Sequence, residues 1–348
     1  MHPRLATLGW DPAWEAVRST LAHDDAVPAR VAVQHRGGYI LYTADGDAPA
    51  VISGRLRHEA HFLTRLPVVG DWVLARDGVI HAVLPRRTAF SRKVPLGQTD
   101  EQVVGANVDG VFVVEAIDAE LNVRRLERYL TAAYESGAEP VVLLNKCDLA
   151  PDAAAPVAEA RTVAAGTPVH AVSARTREGL EALHAYCRPG RTVVFLGPSG
   201  VGKTSLLNAL SGQERPTAAV LEDGRGQHTT THRELVIVPG RGMILDTPGM
   251  RELQLWDASA GLDAVFDDVA AFGKECRFGD CSHGGEPGCA IRAAIDAGSL
   301  AAERFASYQK LEREEAHVLR KRDKRALAEQ RREWRTIMRA RRARWTEK

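Results

Sequence analysis

The chain has no long apolar run. None of its 348 residues lies in a stretch that approaches the roughly 18 apolar residues of a membrane-spanning helix. The first thirty residues mix Asp, Glu and Arg with single apolar positions, unlike a secretory signal. We therefore expect a cytoplasmic protein with no membrane partner. A chain of this length exceeds the size of most single cores, so two or three domains are expected.

Cysteine is scarce, and a reducing compartment does not favour disulfides. Two of the five cysteines, Cys147 and Cys187, stand alone, whereas three cluster with a histidine in CRFGDCSHGGEPGC. Three thiolates and one imidazole complete a tetrahedral zinc shell without an open position, which predicts one structural zinc ion. Buried cysteines without a metal are the alternative. The predicted zinc ligands are Cys276, Cys281, His283 and Cys289.

Net charge is small overall, but basic charge is concentrated at one end. The formal charge is +1, yet residues 320–348 hold 13 Lys and Arg against 4 Asp and Glu. A solvated helix would explain such a run. The two Trp among the arginines favour a polyanion partner, and RNA is the usual cytoplasmic one.

Short alternating runs separated by turn signals fill residues 30–85. RVAVQHR, YILYTAD, AVISGRL, DWVLARD and VIHAVL each match a half-buried strand. Gly37-Gly38 and Asp77-Gly78 suit two-residue hairpins, in which both turn positions need positive φ. Five strands in so short a segment predict a small barrel of the OB type, and another small β-sandwich is the alternative.

The pattern then changes to compact apolar runs that alternate with amphipathic helices. GVFVVEAI, PVVLLN, PVHAVS and RTVVFLG fit strands buried on both faces of a parallel sheet. Val123, Leu126, Leu130 and Ala133 recur at helical spacing before Gly137 ends the segment. This pattern predicts an α/β domain with crossover helices.

A phosphate-binding loop occurs in VVFLGPSGVGKTSLLNAL. It matches GxxxxGK[ST] from Gly197 to Thr204, with a strand before it and an apolar helix after it. Backbone N–H groups of such a loop wrap a β-phosphate, Lys203 reaches the β and γ oxygens, and the Thr204 hydroxyl ligates magnesium. Downstream, MILDTPGM places Asp246 to hold magnesium through water and Gly249 to meet a γ-phosphate.

Two further loops predict that the base is guanine. In NKCD, the Asp148 carboxylate can accept from N1–H and the exocyclic amine of guanine, a donor pair that adenine lacks. Lys146 would pack along the ring while Asn145 braces the loop. SAR follows the next strand and places a backbone N–H of Ser173, Ala174 or Arg175 near guanine O6.

The order of these motifs is unusual, because the base loops precede the phosphate loop. A parallel sheet brings the carboxyl ends of its strands to one edge irrespective of chain order. The termini of compact domains often lie close together, so the chain can open elsewhere without disturbing the site. The motif order therefore predicts a circularly permuted G domain.

The sequence resembles the ribosome small subunit-dependent GTPase A family (RsgA/YjeQ). The motifs that carry the resemblance are PVVGDWV, VLPRRTAFSRK, ANVDGVFVV, NKCD, SAR, GPSGVGKTS, GRGQHTTTHRE, DTPGM and the Cys-His cluster. The resemblance implies a GTPase that binds the maturing small ribosomal subunit late in assembly and whose hydrolysis that subunit stimulates.

Taken together, we expect a multidomain α/β protein. An N-terminal segment with an OB-type β-barrel covers residues 1–95, a circularly permuted P-loop GTPase domain covers 96–256, and a C-terminal α-helical zinc-binding domain with a basic tail covers 257–348. The expected partners of the monomer are GTP or GDP with magnesium, and the small subunit with its rRNA. The predicted GTP-binding residues are Asn145, Lys146, Cys147, Asp148, Ser173, Ala174, Arg175, Gly197, Pro198, Ser199, Gly200, Val201, Gly202, Lys203, Thr204, Ser205 and Gly249.

Hydrolysis needs a group that orients water. Many small GTPases have Gln immediately after the DxxG motif, where this chain has Met250. In GRGQHTTTHRE, one threonine of 229–231 is expected to ligate magnesium, and Thr230 is our choice. The family resemblance implies that His228 is the catalytic residue. One alternative is an RNA-binding assembly scaffold that holds GTP or GDP mainly as a structural ligand. Another is an ATP-dependent nucleic-acid enzyme, which NKCD and SAR disfavour.

Replacing His228 by Ala should abolish subunit-stimulated hydrolysis and spare GTP binding, because this side chain is expected to act on water and not on the nucleotide. Phosphate release with purified small subunits, beside a GTP-binding titration, checks it. Unchanged stimulated turnover would remove His228 from the mechanism.

Overall fold

The computed structural model describes most of the chain. The described residues are 2–21, 25–35, 37–59, 66–93, 101–117, 120–164, 166–213, 233–246, 259–317 and 319–320. No helix within these ranges is long and apolar enough to cross a bilayer. His228, Thr230 and Gly249 lie outside the described residues, as does the basic tail beyond residue 320.

A closed five-stranded barrel forms the N-terminal part, as predicted. Its strands pair in the order β1-β2-β3-β5-β4, and β4 pairs again with β1, so the barrel closes. Only β3 and β5 run parallel. Large apolar side chains such as Trp72 and Leu74 fill the interior. The elements are α1 (Pro3–Thr7), α2 (Pro12–Ser19), β1 (Val27–Gln34), β2 (Tyr39–Tyr42), β3 (Asp47–Ile52), α3 (Gly54–Glu59), β4 (Trp72–Arg76) and β5 (Val79–Val83).

One of the two predicted hairpin turns has the expected backbone. Asp77 and Gly78 have φ values of 51° and 73°, as a tight turn between β4 and β5 requires. The turn between β1 and β2 is different. The His35 N–H donates to the Gly38 carbonyl at 2.9 Å, and neither Gly37 nor Gly38 has a positive φ. Our prediction that Gly37 and Gly38 form a two-residue turn with positive φ at both positions was therefore wrong.

A hairpin that the sequence analysis did not predict follows the barrel. Strands β6 (Ala89–Lys93) and β7 (Glu101–Ala106) pair with each other, so the expected domain boundary at residues 95 and 96 falls between two paired strands. The barrel packs closely against this hairpin. A Cβ on Gly70, whose φ is +92°, would lie 2.1 Å from the Ala106 carbonyl oxygen. This contact explains the glycine in PVVGDWV.

The α/β domain contains a sheet in the order β10-β9-β8-β11-β13-β12. The first five strands are parallel, and β12 is antiparallel to β13. Helices α4 and α5 cover one face, and α6 and α7 cover the other. The elements are β8 (Gly110–Ala116), α4 (Val123–Glu135), β9 (Glu139–Asn145), α5 (Ala154–Val163), β10 (Val169–Ala171), α6 (Leu180–Leu183), β11 (Thr192–Leu196), α7 (Lys203–Ser211), β12 (Arg233–Ile237) and β13 (Met243–Asp246).

The barrel is joined to this sheet by strand pairing. A bulge between Val31 and Val33 redirects β1, and its end then pairs with β12, with Val33 opposite Glu234. The Tyr42 hydroxyl adds a 2.8 Å bond to the Leu235 carbonyl. The two sheets therefore continue into one another across the edge strand β12.

The C-terminal helices pack on α4 through a buried ionic network. Glu127 on α4 is almost fully buried and accepts hydrogen bonds from Arg304 and Ser307. Arg304 also donates two hydrogen bonds to the Asp268 carboxylate. Burial raises the pKa of Glu127, and its Ser307 and Arg304 partners oppose that rise. These helices are α8 (Ser259–Val265), α9 (Asp267–Lys274), α10 (Ala290–Asp296) and the helical residues 302–317.

Replacing Glu127 by Ala should weaken this docking, because Arg304 and Ser307 lose a buried acceptor. We expect the free energy of unfolding to fall by about 2–4 kcal/mol. Urea denaturation measures it, with Glu159→Ala on the exposed side of α5 as the control, for which roughly 0.5 kcal/mol or less is expected. Equal midpoints for the two variants would contradict a stabilising role.

Candidate nucleotide site and zinc centre

The phosphate loop connects β11 to α7 and depends on two glycines. Gly197 has a φ of +146°, and a Cβ there would lie 2.2 Å from the Val114 carbonyl oxygen. Gly202, at φ +93°, is the N-cap of α7. Lys203 folds back over the loop, and its Nζ donates to the carbonyls of Gly197 at 2.7 Å and Pro198 at 2.5 Å. The ammonium group is therefore held inside the curve of the loop.

Asn145 joins the base loops to the phosphate loop. Its side chain is buried at the end of β9, where Nδ2 donates to the Val201 carbonyl at 2.7 Å and Oδ1 accepts from the Ala174 N–H at 3.1 Å. A Cβ on Gly202 would lie 2.3 Å from this Nδ2. The NKCD, SAR and GPSGVGKTS segments thus meet at one side chain, although they are far apart in sequence.

The Asp148 carboxylate is held by the SAR segment. Oδ1 accepts from the Ser173 hydroxyl at 2.6 Å, and Oδ2 accepts from Arg175 Nε at 2.8 Å and from its terminal nitrogen at 2.6 Å. The Ser173 bond, followed by those from Arg175, lowers the pKa of Asp148. The carboxylate is therefore ionised at neutral pH, which makes it an acceptor for paired N–H donors.

The two residues between Asn145 and Asp148 have backbone roles. Lys146 adopts a left-handed conformation with φ +68°, which turns the chain out of β9. The Cys147 N–H donates to the Val172 carbonyl at 3.1 Å, so this turn is tied to the strand that precedes SAR. Burial raises the pKa of the Cys147 thiol, which disfavours the reactive thiolate.

Two of the three predicted magnesium ligands, Thr204 and Asp246, are among the described residues, and both lie at the same edge of the sheet. Asp246 ends β13, and β13 pairs in parallel with β11, the strand that leads into the phosphate loop. Thr204 and Ser205 are in the first turn of α7, directly after Lys203. Ser199 and Gly200 form part of the loop itself. The third predicted ligand, Thr230, lies outside the described residues, as do Gly249 and His228.

Two contacts of this site were not foreseen from the sequence. One is the Asn145 bond to the Val201 carbonyl, and the other is the Arg175 side chain on Asp148, where we expected only a backbone role for residue 175. Both join segments 27 or more residues apart. Motif spacing carries no signal for such contacts.

The Cys-His cluster gathers as predicted. One ligand atom from each of the four residues lies within 4.8 Å of the others, and His283 Nδ1 is 3.5 Å from the Sγ atoms of Cys276 and Cys289. The Ala290 N–H at the start of α10 points to Cys276 Sγ at 3.4 Å, which stabilises thiolate character. Three sulfur atoms and one ring nitrogen so placed fit a structural zinc site.

The fold and site together define the class, a P-loop nucleotide-binding protein with permuted motif order. A family model described as RsgA GTPase matches residues 83–256. The Small ribosomal subunit biogenesis GTPase RsgA of Opitutus terrae is 46% identical over 98% of this chain and 97% of the relative, and its namesake in Streptomyces coelicolor is 42% identical over 96% and 92%. This chain belongs to the RsgA GTPase family.

Two solved structures share the fold. The crystal structure of YjeQ from Thermotoga maritima superposes with a TM-score of 0.62 at 27% identity, covering 84% of this chain and 99% of that chain. YloQ, described as a circularly permuted GTPase, gives a TM-score of 0.58 at 24% identity, covering 85% and 97%. The permuted order predicted from the sequence therefore agrees with the fold of these proteins.

The purified protein should carry about one zinc ion per chain, and Cys289→Ser should lose it, because a missing thiolate opens the shell. Elemental analysis after dialysis measures the metal content. The matched control is Cys187→Ser, a buried cysteine outside the cluster, which should keep its zinc. Full zinc content in Cys289→Ser would contradict the assigned ligand set.

Proposed function

We propose that this GTPase acts as a switch in late maturation of the small ribosomal subunit, where it binds rRNA and where the subunit stimulates hydrolysis. The observation that carries the proposal is the double hydrogen bond of Asn145. It connects the segment expected to select the base with the loop expected to hold the phosphates. One guanosine triphosphate would bind along this edge of the sheet.

The base is selected by Asp148. Its ionised carboxylate would accept from N1–H and the 2-amino group of guanine, and adenine would leave the carboxylate unpaired. Asn145 keeps the loop in place, and the alkyl stem of Lys146 would cover the ring. A backbone N–H of residues 173–175 would face O6.

The phosphates would bind over α7. Backbone N–H groups of the loop and of the first helical turn would donate to the phosphate oxygens. Lys203 would exchange the Gly197 and Pro198 carbonyls for phosphate oxygens. Thr204, Asp246 and Thr230 would hold magnesium, which neutralises phosphate charge when bound. Met250 cannot orient water, so we assign that task to His228.

The RNA partner is proposed from charge, fold and family. The barrel is of a type that binds oligonucleotides, and the tail from residue 320 is strongly basic. The relatives named above are described as small ribosomal subunit biogenesis GTPases. We therefore propose the assembling small subunit as the partner of this chain.

Turnover with and without purified small subunits tests the function against the alternative of a scaffold with a structural nucleotide. A GTPase switch should hydrolyse GTP slowly alone and much faster with subunits, and Lys203→Ala should remove both activities. Equal, negligible turnover with and without subunits, together with tight GDP binding, would favour the scaffold.

Asp148→Asn should bind xanthine nucleotides more tightly than guanine nucleotides. An amide can donate to the C2 carbonyl of xanthine and still accept from N1–H. Competition among GDP, XDP and ADP measures the preference. Asp152→Asn, an exposed neighbour, is the control and should keep guanine selectivity. Retained preference for GDP in Asp148→Asn would remove Asp148 from base recognition.

A further inference from the structure

The Arg175 side chain occupies the acceptor edge that guanine would need. Its Nε and one terminal nitrogen both donate to Asp148 Oδ2, at 2.8 Å and 2.6 Å, while the Ser173 hydroxyl holds Oδ1 at 2.6 Å. The carboxylate is nearly buried, with 8% of its side chain exposed, whereas Arg175 is 73% exposed. The guanidinium group therefore covers Asp148 from the solvent side.

A count of donors shows that Arg175 and guanine compete. An ionised carboxylate offers about four lone-pair positions. Ser173 and the two Arg175 groups use three of them, and the N1–H and 2-amino donors of guanine would need two more. Guanidinium and guanine also present the same chemistry, a planar pair of parallel N–H donors. Guanine can therefore pair fully with Asp148 only when Arg175 has left.

Arg175 can leave by side-chain rotation alone. The backbone around it is fixed independently, because the Ser173 N–H donates to the Glu178 carbonyl, the Ala174 N–H to Asn145, and the Thr176 N–H to the Ser173 hydroxyl. The Ser173 bond to Asp148 is also independent of Arg175. Departure of Arg175 thus leaves the carboxylate oriented and its loop unchanged.

We infer that Arg175 is an affinity-determining residue that competes with guanine for Asp148 and weakens binding of GTP and GDP. The inference rests on the proposed guanine site. Only molecules in which Arg175 has left Asp148 can pair fully with guanine, so the apparent affinity for the nucleotide is reduced in proportion to the fraction of such molecules. Such a residue favours release of the product GDP, because the Arg175 guanidinium replaces the departing guanine at Asp148.

Arg175→Met tests the inference directly, since Met keeps the stem and removes the fork. GDP should bind about two- to fivefold more tightly, the range of a largely exposed ion pair. Isothermal titration calorimetry gives the dissociation constant. The control is Arg161→Met, which removes the same charge from an exposed position on α5 and should leave the GDP constant unchanged.

Salt and a second background separate competition from other effects. The difference between the GDP dissociation constants of wild type and Arg175→Met should become smaller near 1 M salt, where the screening length is about 3 Å. In Asp148→Asn, the ion pair is absent, so adding Arg175→Met should leave XDP affinity unchanged. The same gain in that background would show that Arg175 acts elsewhere and would overturn the inference.

The outcomes for the inference and for the proposed function are distinct. Wild-type protein that binds GDP, with Arg175→Met binding equally or more weakly, would overturn the competitor and leave the guanine site standing. Weaker binding would mean that Arg175 attracts the base or the phosphates. Wild-type protein that binds GDP no better than ADP would instead overturn the guanine site and, with it, the competitor.

Discussion

The nucleotide site depends on one buried amide. In a parallel sheet, the loops after neighbouring strands reach the same edge, but nothing in that arrangement fixes the distance between a base loop and a phosphate loop. Asn145 fixes it with one donor and one acceptor, which bind Val201 and Ala174. Because the amide is buried, loss of either bond would leave an unpaired polar group. Chain order is irrelevant to this contact, so permutation leaves it intact.

The remaining parts are attached to this domain at separate places. The barrel joins the sheet edge through β1 and β12, whereas the C-terminal helices pack on α4 through Glu127 and Arg304. Strand β12 follows the segment that contains the predicted threonines, and β13 then leads to Asp246. The barrel is therefore hydrogen-bonded to the strand between the two segments expected to contact the γ-phosphate.

Local pattern was sufficient for most elements of the fold. The five barrel strands, the α4 helix and the parallel strands follow from the spacing of apolar residues and from turn chemistry, which act over a few residues. The β6-β7 hairpin and the β1-β12 pairing were not predicted, because such pairings are set by tertiary packing. In the site, motifs predicted the roles of Asn145, Asp148 and Lys203, and the structure brings the segments that carry them together. The Arg175 contact was missed, because a motif fixes a backbone position but not where a long side chain ends.

The contacts of a buried arginine at the junction of the barrel with the G domain were likewise not predictable from sequence motifs. Arg30 donates to the carbonyls of Leu8, Gly70 and Asn107, and its guanidinium lies over the Trp72 ring. Burial lowers its pKa to about 10, so it stays charged at neutral pH, with Asp109 and Asp71 opposing the shift. An apolar replacement would leave the buried Leu8 and Asn107 carbonyls without this donor, whereas the Gly70 carbonyl would still accept from Asn107 Nδ2. Its desolvation offsets much of what its hydrogen bonds contribute, so Arg30 adds less to net stability than its hydrogen bonds suggest, while it connects three separate segments.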